Sequence, residues 1–118
     1  ILIDDLELTR LYNKAQLCVY AFYLEPFGLV PLEAMACGTP VVAVREGGVR
    51  ESVVHNVCGL LTDRDERKFA EAVSQLLQDN EKHQHMSCKA IDIVSNFWTC
   101  EQAAQRLIQH MRYSIKMQ

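Results

Sequence analysis

The sequence lacks the features that mark several special classes of protein. It has 118 residues with only 5 glycines and 3 prolines, and it contains no repeat and no low-complexity segment. No apolar run approaches the roughly 20 residues of a membrane-spanning helix, and no signal peptide is visible. The 12 basic residues are scattered and the net charge is −3, so the chain has no basic footprint for nucleic acid. What remains is one globular domain of ordinary composition, 49% hydrophobic and 23% charged.

The cysteines show no pattern of a disulfide framework or of a metal site. There are 5 of them, an odd number, and no two have Cys-x-x-Cys spacing. Several lie in apolar runs, as buried thiols do. We therefore expect a reducing, cytosolic compartment and no disulfides.

Apolar runs alternate with helical stripes along the chain. Strands are predicted at 17–22, 40–44 and 59–62, where the apolar residues are continuous. Helices are predicted at the following ranges: from Asp4 or Asp5 to 15, 30–37, 49–54, from Asp63 or Asp65 to 78, 81–95, and from a Thr99–Gln102 capping box to 114. Strands alternating with helices predict an α/β fold with a Rossmann-like parallel sheet over residues 1–118.

The first predicted strand would leave an apolar edge unpaired, and three strands make a small sheet. The chain also begins at Ile1 and not at Met. We therefore expect further strands to precede Ile1 in a longer protein.

Residues 25–48 form the centre of the pattern, with a loop, a short helix and a second strand in succession. Ligands of open parallel sheets bind beyond the carboxyl ends of the strands, where helix N-termini present free N–H groups to anions. Gly28 lacks a Cβ, so an anion can approach the backbone at the helix start. Glu33, one turn into the helix, can accept hydrogen bonds from ribose hydroxyls, and Glu25 can face whatever lies beyond the phosphates. The stretch therefore predicts a site for a nucleotide diphosphate joined to a hydroxyl-rich group.

These residues also resemble a known family. Glu25-Pro-Phe-Gly-Leu-Val-Pro-Leu-Glu33 is similar to the Glu-x7-Glu signature of retaining nucleotide-sugar glycosyltransferases, a group that includes sucrose-phosphate synthase, sucrose synthase and glycogen-synthase-like enzymes. The segments 33–43, 47–51 and 4–15 and the pair Phe97-Trp98 resemble the same family. The resemblance covers nearly the whole chain, and the 25–43 block is its most specific part.

The resemblance implies the donor-binding C-terminal half of a GT-B fold. Glu25 would contact the donor sugar near the reacting carbon, and Glu33 would bind the ribose. Backbone N–H groups of the helix mouth would hold the sugar and the diphosphate; these belong to Phe27, Gly28, Leu29 and Val30. The pair Gly47-Gly48 would either line the donor site or form only a turn.

The implied reaction is transfer of a hexose from a nucleotide diphosphate sugar with retention of configuration. The resemblance implies neither a metal ion nor a cofactor, and it favours UDP-glucose and sucrose or related carbohydrates. The family's basic pair that neutralises the diphosphate, and its N-terminal acceptor domain, lie upstream of Ile1. We therefore expect the isolated chain to bind donor weakly and not to turn over.

Other readings of the same residues stay open. The chain can be a non-catalytic Rossmann-like module that binds a partner and keeps a vestigial sugar site. A glycosidase pair of carboxylates would need an acid in an apolar pocket, and no such pocket is indicated. A dinucleotide enzyme would need Gly-x-Gly-x-x-Gly after a strand, which is absent. His83 and His85 face different sides of a helix, so a shared metal ion with Cys88 is not expected.

Overall fold

The computed structural model describes residues 4–22 and 28–116. In chain order the described elements are α1 (Asp5–Lys14), β1 (Cys18–Tyr20), α2 (Leu29–Ala36), β2 (Val41–Val44), α3 (Val49–Ser52), β3 (Gly59–Thr62), α4 (Glu66–Gln78), α5 (Asn80–Phe97) and α6 (Cys100–Lys116). Every element predicted from the sequence is present, and the type and order of each are confirmed. At most of the element ends, the observed bound differs from the predicted one by a few residues.

The three strands form one parallel sheet in the order β1-β2-β3. Cys18 pairs with Val41, and Val41 pairs in turn with Gly59. The central strand β2 is buried at all four positions, as a continuous apolar run in a parallel sheet predicts. The parallel direction places the carboxyl ends of all three strands at one edge.

Helices cover the sheet on both faces, and each face has its own core. On one face Val41 and Ala43 of β2 pack with Met35 of α2 and with residues of α3 and α5. On the other face Val42 packs with Leu76 of α4 and with Met86 of α5. The alternation of β2 residues between the two cores follows from the period of two in a strand.

The edge strand β1 is shorter and less buried than predicted. It has three residues, and Val19 is 58% exposed while Tyr20 is 6% exposed. The prediction of a strand buried on both faces therefore fails at Val19, although Leu17 just before β1 packs against the second core while Cys18 and Tyr20 join the first. The face of β1 on which Val19 lies is uncovered at that residue in the part of the chain that the structure describes.

Side-chain caps fix the helix starts. Asp4 caps α1 and Asp65 caps α4, each by accepting a hydrogen bond from a backbone N–H three residues on. Asp79 caps α5 in the same way, so this helix begins at Asn80 and not at the predicted residue 81. Thr99 Oγ1 accepts from the N–H of Gln102 at 3.2 Å, which confirms the predicted Thr99 side of the capping box.

Gly38 ends α2 in the left-handed conformation that the sequence predicts, with φ of 76°. Its N–H donates to the carbonyl of Met35, and the N–H of Thr39 donates to that of Ala34, both at 2.9 Å. These two bonds form a Schellman motif. Ser87 of α5 donates its hydroxyl to the Gly38 carbonyl at 2.6 Å, so the end of α2 is fixed to α5.

The last helix packs on the end of α5. Trp98 contacts Phe97 edge-on with ring centroids 4.8 Å apart, and the Arg106 guanidinium lies 4.0 Å from the Phe97 ring centroid. Arg106 also donates to the Phe97 carbonyl at 2.6 Å.

Among the described helices, none is long and apolar enough to cross a membrane.

Candidate functional site

Three of the described helices, α2, α3 and α4, begin at the carboxyl edge of the sheet, and the first two of them have a glycine at the N-cap. α2 begins after β1 with Gly28 as its N-cap residue, and α3 begins after β2 with Gly48 as its N-cap residue. Because both N-cap residues are glycines, no N-cap side chain occupies the free N–H groups of either helix. Because β1 and β2 are adjacent and parallel, both helix N-termini lie at the same edge of the sheet, where parallel sheets bind ligands.

Gly28 has a packing role that the sequence did not indicate. A Cβ built on Gly28 would lie 2.5 Å from the Tyr20 hydroxyl oxygen and 2.9 Å from the adjoining ring carbon. Gly28 is also buried. The side on which a Cβ would stand is therefore occupied by the Tyr20 side chain, which gives Gly28 a packing role. The role of Gly28 in donor binding stays a prediction.

The other residues of the predicted helix mouth are only partly described. Leu29 is 63% exposed and Val30 is 39% exposed, while Pro31 is buried in the first turn, where its missing N–H costs nothing. Two predicted site residues, Glu25 and Phe27, lie outside the described residues. The exposed first turn of α2 leaves apolar side chains at the surface beside the predicted site.

Glu33 lies on the exposed side of α2, facing α1. Its Oε2 accepts a hydrogen bond from the Tyr12 hydroxyl at 3.0 Å. Burial, followed by this hydrogen bond and the charge of Glu33, raises the pKa of Tyr12 well above its ordinary value. The two side chains line an open groove of about 390 Å³ between α1 and α2.

The described lining of that groove includes Glu33 but none of residues 28–30. The remaining lining residues are Asp5, Leu8, Thr9, Ala36 and Cys37. The structure thus places Glu33 beside Tyr12, in the groove between α1 and α2.

Gly47 and Gly48 connect β2 to α3. Gly47 has φ of 68°, a conformation that favours glycine, and Gly48 is buried with helical dihedral angles. These observations agree with a turn that starts a helix. Their lining of a donor site stays a prediction.

Arg64 is a residue of this edge that sequence reasoning missed. It follows β3, and its guanidinium contacts the Glu46 carboxylate at 2.7 Å. It also donates to the carbonyls of Ala21 and Phe22, at 3.2 and 3.3 Å. Arg64 thereby joins the segments that follow all three strands. The available signal was its position, since a cation just after the third parallel strand must lie at the carboxyl edge.

Two more cations at this edge are held by one carboxylate. Lys68 lies 3.0 Å from Asp63, and Arg45 lies 3.7 Å from it. The hydrogen bond from Lys68, with its charge, lowers the pKa of Asp63 below its usual value. Arg45 also donates to the Leu61 carbonyl at 3.1 Å. Lys68 and Arg45 thus both pair with Asp63, in the segment that connects β3 to α4.

Within residues 4–22 and 28–116, no group of three or more His, Cys, Asp or Glu side chains has the geometry to hold a metal ion. His83, which the sequence placed near a second histidine, instead contacts the Gln16 carbonyl through Nε2 at 2.6 Å. His55 lies in an exposed turn, where its Nδ1 accepts from the Leu61 N–H at 2.9 Å.

A parallel sheet covered by helices on both faces, with the N-termini of α2, α3 and α4 at its carboxyl edge, defines a Rossmann-like α/β domain. The sequence profile described as "Glycosyl transferases group 1" matches residues 3–92. The chain belongs to this family. The predicted fold, the C-terminal Rossmann-like half of a GT-B glycosyltransferase, is confirmed.

Individual relatives carry several different names. A D-inositol 3-phosphate glycosyltransferase of Corynebacterium diphtheriae is 42% identical over 102 residues, which are 86% of this chain and 24% of that protein. The structure of sucrose-phosphate synthase from Thermosynechococcus elongatus has a TM-score of 0.80 and 33% identity, over 98% of this chain and 29% of the other. Anabaena HepE, solved with UDP, has a TM-score of 0.76 and 30% identity, over 88% of this chain and 29% of the other. The chain thus spans about a quarter of the length of these relatives.

Proposed function

We propose that this chain forms the donor-binding part of a retaining glycosyltransferase that transfers a hexose from a nucleotide diphosphate sugar. The observation that carries the proposal is the opening of α2 and α3 at the carboxyl ends of adjacent parallel strands. The N–H groups at the start of α2 would hold the diphosphate. Glu33 would accept hydrogen bonds from the ribose hydroxyls. Glu25 would contact the donor sugar.

The proposed donor is UDP-glucose. HepE, a relative of 30% identity, has been solved in complex with UDP-glucose as well as with UDP. In the proposed mechanism the acceptor hydroxyl attacks from the face that the leaving diphosphate occupies. The helix N-terminus stabilises the charge that develops on the diphosphate, and Glu25 orients the sugar without acting as a nucleophile. We propose that no metal ion takes part.

For the acceptor we propose the hydroxyl of a sugar, in the synthesis of sucrose or a related carbohydrate. The structural similarity to sucrose-phosphate synthase supports this choice. An inositol phosphate is the second candidate, because several curated relatives are named D-inositol 3-phosphate glycosyltransferases. Mass spectrometry of the product from UDP-glucose with fructose phosphate or inositol 3-phosphate, in the full protein, would separate the two.

The first test is binding of UDP and UDP-glucose by isothermal titration calorimetry. We expect Glu33→Ala to weaken UDP binding about tenfold or more, because the ribose hydroxyls lose a charged acceptor. The matched control is Glu101→Ala, which removes an exposed glutamate from the first turn of α6 and should leave the affinity unchanged. Equal affinities for the wild-type chain and Glu33→Ala would contradict the proposal.

The competing function is a non-catalytic module of the same fold that binds a partner, with a vestigial sugar site. The intact Glu25 and Glu33 pair favours the enzyme. The same titration on the full protein, with the strands expected upstream of Ile1, separates the two functions, since a vestigial site would bind neither UDP nor UDP-glucose. A cytosolic location is also part of the proposal. It is supported by the five cysteines, which all carry free thiols, as suits a reducing compartment.

A further inference from the structure

Tyr12 connects α1 to α2 through two different atoms. Its carbonyl oxygen accepts from Thr39 Oγ1 at 2.6 Å, and its hydroxyl donates to Glu33 Oε2 at 3.0 Å. Thr39 is 2% exposed and belongs to the Schellman motif that ends α2. The backbone of Tyr12 is therefore held at the C-terminal end of α2, while its side chain reaches the carboxylate near the middle of that helix.

We propose that Tyr12 is a positioning residue for nucleotide binding, because its hydroxyl holds one oxygen of the Glu33 carboxylate so that the other is presented to the ribose. This inference rests on the proposed function. It adds a residue from a different helix to the nucleotide site.

The acceptor capacity of the carboxylate allows both roles. An ionised glutamate has two oxygens and about four lone-pair directions. The Tyr12 hydroxyl occupies one of them on Oε2. The remaining directions suffice for two neighbouring ribose hydroxyls, so Tyr12 and the ribose do not compete for the same lone pair.

Holding Glu33 before the ligand arrives also favours binding. A glutamate side chain has three rotatable bonds, and fixing it on association costs conformational entropy. Glu33 is exposed, so packing alone does not restrict it. The Tyr12 hydrogen bond supplies the restriction, since Tyr12 is itself half-buried and fixed at its backbone by Thr39.

The protonation state of Tyr12 agrees with this role. Burial first, and then the hydrogen bond to Glu33 and its charge, raise the pKa of the phenol. Tyr12 therefore keeps its proton at neutral pH and acts as the donor. Glu33 is left with acceptor positions only, which suits a sugar hydroxyl that donates.

The test compares UDP with 2′,3′-dideoxy-UDP, which lacks the hydroxyls that Glu33 would bind. We expect Tyr12→Phe to weaken UDP binding about three- to tenfold, the usual effect of losing one hydrogen bond. Binding of the dideoxy nucleotide should not change. In the Glu33→Ala background, Tyr12→Phe should cause no further loss for either nucleotide, because it acts only through Glu33.

A purely structural role for Tyr12 would give a different result. Tyr12→Phe would then weaken both nucleotides by the same factor, or its effect would persist in the Glu33→Ala background, and either outcome would overturn the inference. The matched control is Thr9→Val, which removes a hydroxyl from the same groove. Its hydroxyl bonds to the Asp5 carbonyl and not to Glu33, so it should leave UDP affinity unchanged.

The outcome also separates this inference from the proposed function. If the wild-type chain binds UDP and Glu33→Ala weakens that binding while Tyr12→Phe does not, only the role of Tyr12 is wrong. If UDP binding does not depend on Glu33, the proposed function and the role of Tyr12 both fail.

The hydrogen bond itself can be measured without ligand. Ultraviolet absorbance of tyrosinate during an alkaline titration should show that the Tyr12 phenol, identified by comparison with Tyr12→Phe, ionises above the ordinary range. Glu33→Gln should lower the pKa of that phenol, because the negative charge of the acceptor is lost. Tyr12→Phe should abolish this ionisation at high pH. A titration identical in the wild-type chain and Glu33→Gln would contradict the contact.

Discussion

Single glycines decide several close contacts of this fold. Gly38 takes a positive φ at the end of α2, and Gly28 gives space to Tyr20. Gly59 is the most confined of the three, because a Cβ there would meet the Val41 carbonyl oxygen and Val53 Cγ1. The carbonyl belongs to the neighbouring strand backbone, so it cannot move aside as a side chain would. Gly59 is therefore required by the pairing of β2 with β3.

We expect Gly59→Ala to destabilise the chain by about 3 kcal/mol, in the range of severe overpacking. The added methyl group would push β3 away from β2 at the first residue of the strand. Urea unfolding followed by circular dichroism would measure the free energy of unfolding. The control Gln75→Ala adds alanine at an exposed position of α4 and should change this free energy by less than about 0.5 kcal/mol. A similarly small change for Gly59→Ala would contradict the contact.

At the scale of elements, the three strand ends are held in relation to one another by Arg64. The residues it contacts follow β1 and β2, while Arg64 itself follows β3. Its side chain is 42% exposed, so this ion pair contributes little to stability by itself. Its more specific effect is on geometry, since it fixes the backbone that leads into residues 23–27, where Glu25 lies.

We therefore expect Arg64→Met to weaken UDP-glucose binding more than it lowers stability. Methionine keeps much of the apolar stem and removes the charged donors. Binding should weaken about three- to tenfold because the carbonyls of Ala21 and Phe22 lose the donor that fixes them, while the free energy of unfolding should fall by about 1 kcal/mol or less. Calorimetry and urea unfolding would measure the two effects.

Arg67→Met is the matched control for this prediction. Arg67 is an exposed residue of α4, three residues further along the chain. Its replacement should change neither UDP-glucose affinity nor stability. If Arg64→Met left affinity at the wild-type value, Arg64 would serve only the packing of the edge.

At the scale of the whole molecule, the last helix makes the chain extended. The radius of gyration is 16.0 Å, whereas a compact chain of this length would have about 13 to 14 Å. The described side chains of α6 through residue 112 are exposed or half-buried. Leu107, Ile108 and Met111 are among the exposed ones. The core of the domain therefore depends on the elements from α1 to α5.

We expect removal of the residues after Thr99 to leave a cooperatively folding domain. The loss in free energy of unfolding should be about 1 to 2 kcal/mol, since truncation removes both the stacking of Arg106 on Phe97 and its hydrogen bond to the Phe97 carbonyl. Urea unfolding would measure it. Arg106→Ala in the complete chain should account for most of the same loss. Loss of the cooperative transition on truncation would show that α6 is part of the core.

The sequence by itself determined the type, order and approximate bounds of the elements. Continuous apolar runs mark strands buried in a parallel sheet, helical stripes mark the covering helices, and residues such as Gly38 and Thr99 end or begin helices by local backbone chemistry. The motif from Glu25 to Glu33 also gave the family. These signals are local, so they can be read without knowledge of the packing.

Only the tertiary structure decided which side chains meet. The Tyr12 hydroxyl of α1 reaches Glu33, 21 positions along the chain. Arg64 contacts carbonyls 42 and 43 positions before it. Gly28 is required by Tyr20, and Gly59 is required by Val41. Such contacts depend on how helices and strands are placed in space, which no local pattern encodes.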